Sequence, residues 1–178
     1  MANTSYGYGL QPLYHKGGEA PRTSSFPLKA SYGTNIYKGQ IVTWNITNGY
    51  LQANASTNPT KVVGVAATCF WTGKATQTTL QVWDGRDHVF QIQSDSATTT
   101  NTLAQVQMKN MAVTTPTAGS TLTHYSTMKL KWSSKTTSTK VLKVVGQVDS
   151  IEKRSTMDYV DLKVEFNFGV LYTELAHE

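Results

Sequence analysis

The residues best suited to chemistry stand together once, in the run Trp83-Asp84-Gly85-Arg86-Asp87-His88. Two carboxylates, a guanidinium and an imidazole around a glycine could transfer protons or hold a cation. The same spacing also builds a tight turn, with Asp84 accepting backbone N–H bonds and Arg86 pairing with Asp87. Nothing elsewhere in the chain supplies a catalytic partner, so the turn is the stronger reading. His15, His124 and His177 join no H-x-x-x-H or H-E-x-x-H pattern, and neither a G-x-S-x-G elbow nor a Gly-rich phosphate loop occurs. Trp71, Trp83 and Trp132 could line a sugar cleft, but their alternation within apolar strands favours the core. The expectation is therefore no enzyme, no cofactor and no metal.

Composition narrows the remaining classes. The chain has 178 residues and a net charge of +5, with only 15% charged residues against roughly 25% in ordinary domains. Thr, Ser, Asn and Gln take their place, which suits strands because Thr is stiff at χ1 and pairs well across a ladder. The basic residues are scattered, apart from Lys129, Lys131, Lys135, Lys140 and Lys143. Nucleic-acid binding needs bases converging on one groove with aromatics to stack, so direct contact with nucleic acid is not expected. A solvated face or an acidic protein partner explains that cluster as well. The lone Cys69 reads as a buried thiol, and no apolar run is long enough for a membrane helix.

The elements that must position these residues read as strands. QIVTWNI (40–46) and YLQANA (50–55) flank Thr47-Asn48-Gly49, a strong hairpin signal. KVVGVAATCFW (61–71) is continuously apolar, as in a strand buried on both faces, with Gly64 marking a bulge or close backbone approach. TTLQVWD (78–84) and HVFQIQS (88–94) alternate and read as a second hairpin. Leu103, Val106 and Met111 suggest one short helix or helical turn over Thr98–Met111. STMKLKW (126–132) puts Met128, Leu130 and Trp132 on one face. VLKVVGQVDSI (141–151) repeats Val-Val-Gly, with Gly146 standing where Gly64 stood. In the last strand Val160, Leu162, Val164, Phe166 and Phe168 point inward. The fold class is all-β: a β-barrel or β-sandwich of short antiparallel strands, with one short helix and an extended N-terminal arm.

The arm, residues 1–28, has no helix or strand period and is too polar and aromatic for a secretory signal. Residues 29–178 form the β-rich domain, with two related β units at about 29–96 and 112–178. Tyr6, Tyr8, Leu10, Leu13, Tyr14 and Phe26 are costly to leave in water over so short a segment. Such a stretch lies along another surface, or else packs back on its own domain.

In chain order, GLQPLYHKGG, YGTNIYKGQIV, KVVGVAATCFW, HVFQIQSDS and LKVVGQVDS…YVDLKVEFNFGVL resemble the capsid decoration (cement) proteins of tailed bacteriophages. The G-L-x-P is Gly9 to Pro12. Phe90, Ile92, Gln93 and Asp95 match a family strand, and Gln40 stands where an acidic residue is usual. The resemblance implies a virion structural protein on the capsid exterior. Its partner would be the major capsid protein, and its own state a trimer or, in some related systems, a dimer. No membrane partner is expected. An extended arm of ~28 residues at ~3.3 Å each reaches about 90 Å, and Tyr6, Tyr8, Leu10, Leu13, Tyr14 and Phe26 are its candidate anchors. The alternative is a virion-surface β-sandwich module that binds host glycans.

Overall fold

The computed structural model describes residues 7–29, 32–72, 77–96, 103–148 and 159–167. Ten strands run β1 (Gln11–His15), β2 (Thr23–Pro27), β3 (Ile41–Asn45), β4 (Tyr50–Ala53), β5 (Val62–Ala66), β6 (Thr79–Asp84), β7 (His88–Gln93), β8 (Asn110–Met111), β9 (Leu142–Gln147) and β10 (Asp161–Phe166). They form two open five-stranded antiparallel sheets, in the orders β1-β7-β10-β9-β8 and β2-β6-β5-β3-β4. Of the two expected architectures, the sandwich is the one formed.

The main core fills the space between the sheets. Phe90, Ile92, Leu142, Val144, Leu162, Val164 and Phe166 come from the first sheet, and Ile41, Val62 and Val65 from the second. Val160 just before β10 and Leu162, Val164 and Phe166 along it are buried, with Asp161, Lys163 and Glu165 alternating with them; Phe168 lies outside the described residues. A second cluster lies on the other face of the second sheet, where Leu28, Ile36 and Phe70 cover Val42, Val63, Leu80 and Val82. Strand β5 is thus buried on both faces, which is why the stretch around it reads as an apolar run.

Gly64 sits at the irregularity where β5 slips against β3, between the pairs Val42–Gly64 and Thr43–Val62. A Cβ there would lie 2.0 Å from the Trp83 carbonyl oxygen. No such crowding exists at Gly146, where the nearest atom would be 3.9 Å away. The repeated Val-Val-Gly therefore marks two different environments.

Three local expectations are corrected. β6 and β7 do not form a hairpin: β6 pairs with β5 and β2, β7 with β10 and β1, and the chain changes sheet at Gly85. The segment expected to be helical contributes only a 3₁₀ turn at Leu103–Gln105, and Met111 belongs to β8. Met108 there takes φ 61. Met108 N–H donates to Val144 O at 2.8 Å and Val144 N–H donates to Lys109 O at 3.0 Å, so the chain enters the sheet instead. Residues 98–102 of that expectation lie outside the described residues.

The segment 126–132 forms no strand but isolated bridges at Ser126 and Leu130, and Trp132 opens a second 3₁₀ turn, Trp132–Ser134. Met128, Leu130 and Trp132 are nevertheless buried as their alternation requires.

Candidate contact surface

The segment with no visible period contains two strands. β1 pairs along β7 and β2 along β6, so residues 11–27 edge both sheets. Each is an edge strand of five residues, too short and one-sided for alternation to show. A bulge sits between Pro12 and Tyr14, leaving Leu13 unpaired in the ladder.

Tracing the candidate anchors one by one divides them. Leu10 is fully buried in the main core, so it holds the arm to its own domain. Tyr8 is half-buried, and its hydroxyl donates to Asp161 Oδ1 at 2.6 Å. Burial, then the hydrogen bond to Asp161 and its negative charge, push the Tyr8 phenol well above its ordinary 10.0. Phe26 is half-buried edge-to-face on Trp44, with centroids 6.4 Å apart. Leu13 is half-buried, and Tyr14 keeps 44% of its surface exposed. Tyr6 lies outside the described residues.

The entry to β1 depends on two glycines. Gly9 (φ 69) and Gly39 (φ 83) cross backbone against backbone, and Leu10 N–H donates to Gly39 O at 2.8 Å. Gln40, next along, is fully buried. Its Oε1 accepts Tyr37 N–H at 2.9 Å and its Nε2 donates to Pro116 O at 2.9 Å. A carboxylate could make only the first of these bonds, which accounts for an amide at this position.

The charged cluster around Gly85 is the corner between the sheets. Asp84 Oδ1 accepts Arg86 N–H at 2.8 Å, as a turn requires. The Arg86 guanidinium lies 3.5 Å from Asp84 Oδ2, so its ion-pair partner is Asp84 and not Asp87. His88 is buried; its Nδ1–H donates to Asp84 O at 2.8 Å and its Nε2 accepts Arg22 N–H at 3.2 Å. His15 meets it edge-on at 5.2 Å. Both imidazole nitrogens are thus spent tying the β1–β2 loop to the corner. Sequence reasoning missed this tie, because Arg22 and His88 are 66 residues apart.

Of the tryptophans, Trp132 is buried and Trp83 packs partly against the main core. Trp71 is half-buried between Tyr37 and His124, at 5.7 and 4.7 Å. Cys69 is half-buried, not fully buried as expected. No group of three or more metal-ligating side chains occurs among the described residues.

No protein-family model matches this chain, and no curated protein or solved structure is significantly similar to it.

Proposed function

We propose that this protein is a capsid decoration (cement) subunit, bound to the exterior of an icosahedral phage head where major capsid subunits meet. It would act as a homo-oligomer, a trimer in preference to a dimer. The observation that carries this reading is that residues 11–27 edge both sheets while leaving Tyr14 exposed beside the Leu13 bulge. A pull on Tyr14 is resisted by the β1–β7 ladder, and a pull on β2 by the β2–β6 ladder. Strain in a DNA-filled head would therefore load rows of backbone hydrogen bonds, not a loose tail. A subunit bound only to the intact shell stabilises it by mass action, and several weak contacts act together.

The test uses heads lacking the protein, to which wild type and L13D/Y14D are added. Wild type should sediment with heads in fixed stoichiometry and raise their resistance to heat. The double variant should bind at least about tenfold more weakly, the scale of a lost apolar anchor. Equal binding by both proteins would remove the arm from the contact. Failure of wild type to bind would sink the capsid reading.

A second reading, glycan recognition, is favoured by one cleft. Lys61 takes φ 58, and its carbonyl accepts Trp44 N–H of β3 at 3.0 Å. Beside it a cleft of about 260 Å³ is lined by Thr43, Trp44, Asn45, Ile46, Gln52, Thr60 and Lys61. An indole beside amides and hydroxyls suits a sugar. Binding to immobilised polysaccharide that vanishes in W44A would support it.

A further inference from the structure

Every formally charged residue from 96 to 148 is a lysine: Lys109, Lys129, Lys131, Lys135, Lys140 and Lys143. The fold gathers them. Asn110, next to Lys109, pairs with Lys143 on one side and with Thr136 on the other. Lys131 N–H donates to Ala112 O at 2.9 Å, and Thr114 N–H to Lys129 O at 2.8 Å. Segments 109–114 and 129–136 and strand β9 therefore lie side by side. Lys131 and Lys135 are exposed, and Lys109 and Lys140 half-exposed.

Among the described residues compensation is slight. Lys143 lies 3.9 Å from Glu165, but that carboxylate is also held by Lys16 at 3.0 Å. Among the described residues, Lys109, Lys131 and Lys140 have no carboxylate in ion-pair range. Like charges gathered this way repel and work against compactness, while focusing a field that attracts anions.

The chemistry of the face selects among anions. It carries no arginine, the side chain suited to bidentate phosphate contacts. Its rings are not free to stack bases: Trp132 is 6% exposed, with Lys135 5.4 Å over it, and Lys129 lies 5.3 Å over Tyr159. Among the described residues, the carboxylates of Glu19, Asp84, Asp161 and Glu165 already have partners in the fold. Strand addition is also blocked. Asn110 and Thr136 exchange backbone hydrogen bonds at 2.8 and 3.0 Å, and Ala112 N–H donates to Ser134 Oγ at 2.8 Å.

We infer that this lysine face is a docking surface for a carboxylate-rich segment of another protein, held by side-chain charge and not by strand pairing. The inference does not depend on the capsid reading.

The probe is a fluorescein-labelled peptide of alternating Glu and Gly, followed by anisotropy at low and physiological salt. A DNA duplex of equal charge is run in parallel. K109E/K131E/K135E is compared with R22E/K29E/K61E, which changes net charge equally elsewhere on the surface. K109Q/K131Q/K135Q serves if charge reversal harms folding. Wild type should bind the peptide in a salt-dependent way and more tightly than the duplex. The face variants should lose about tenfold or more, and the control at most about twofold. Equal losses in both triple variants would reduce the effect to net charge and overturn the inference. So would tighter binding to the duplex, or no binding of the peptide by wild type.

Discussion

Gly9 and Gly39 touch through their backbones: a Cβ on Gly9 would lie 2.5 Å from Gly39 O, and one on Gly39 would lie 2.8 Å from Tyr8 O. Both also hold positive φ, at 69 and 83°. The contact joins the Gly-Leu-Gln-Pro and Tyr-Lys-Gly-Gln segments and sets the entry of Leu10 into the core. Gly9→Ala should therefore cost about 2–4 kcal/mol, combining left-handed strain with overpacking. Gly49 separates the two causes, since it has φ 68 but nothing within 4 Å of an added Cβ. Gly49→Ala should cost only about 1 kcal/mol, the strain alone. Urea unfolding of the two variants measures the difference, and equal losses would mean that the close approach contributes nothing.

Gln40→Glu keeps the shape but replaces the donor to Pro116 O with an acceptor, at a fully buried site. The expected loss is about 2–4 kcal/mol at neutral pH, from a buried charge facing a carbonyl. Burial raises the new carboxyl's folded-state pKa above its unfolded value of about 4.3. Its penalty is thus absent below that unfolded value and grows as pH rises toward the folded one. The gap between variant and wild type should narrow as pH falls from 7 to 4 in chemical denaturation. A gap constant with pH would show that the site is not protonation-linked.

Tyr8 stays protonated in the fold beyond its ordinary 10.0, through burial and its bond to Asp161. A raised folded-state value adds stability that is complete below the unfolded pKa and is lost as pH climbs above it. Melting temperature should therefore fall as pH rises past about 10, the unfolded tyrosine value, and fall less steeply in Tyr8→Phe. At neutral pH the same variant should lose about 1–2 kcal/mol, because the Asp161 carboxylate gives up a charge-assisted bond. Parallel alkaline slopes for the two proteins would assign the pH dependence to other tyrosines.

Parts of this fold were legible because they rest on short-range patterns. The β3–β4 hairpin follows from Asn48-Gly49, and the β10 face from strict alternation through Phe166. The double burial of β5 follows from its unbroken apolar run. The candidate surface was legible only as residue types. Leu10 and Tyr14 look alike as large arm residues, but one is fully buried and the other exposed. Gly85 looks like a hairpin turn because alternating strands on either side read the same whether they share a sheet or not.

By itself, the sequence determined the all-β class, most strand positions, the need for glycine at the close approach of β5, and the lysine-only charge of 96–148. Periodicity, turn chemistry and composition act over a few residues, so one chain displays them directly. Tertiary structure alone decided which sheet each strand joins, that the arm edges both sheets, and that His88 holds Arg22. It also decided that the lysine-bearing segments lie side by side. Those outcomes are pairings across long separations in sequence, where many partners fit one strand equally well. Only simultaneous burial of Leu10, Phe90, Val164 and Val65 in one core selects among them.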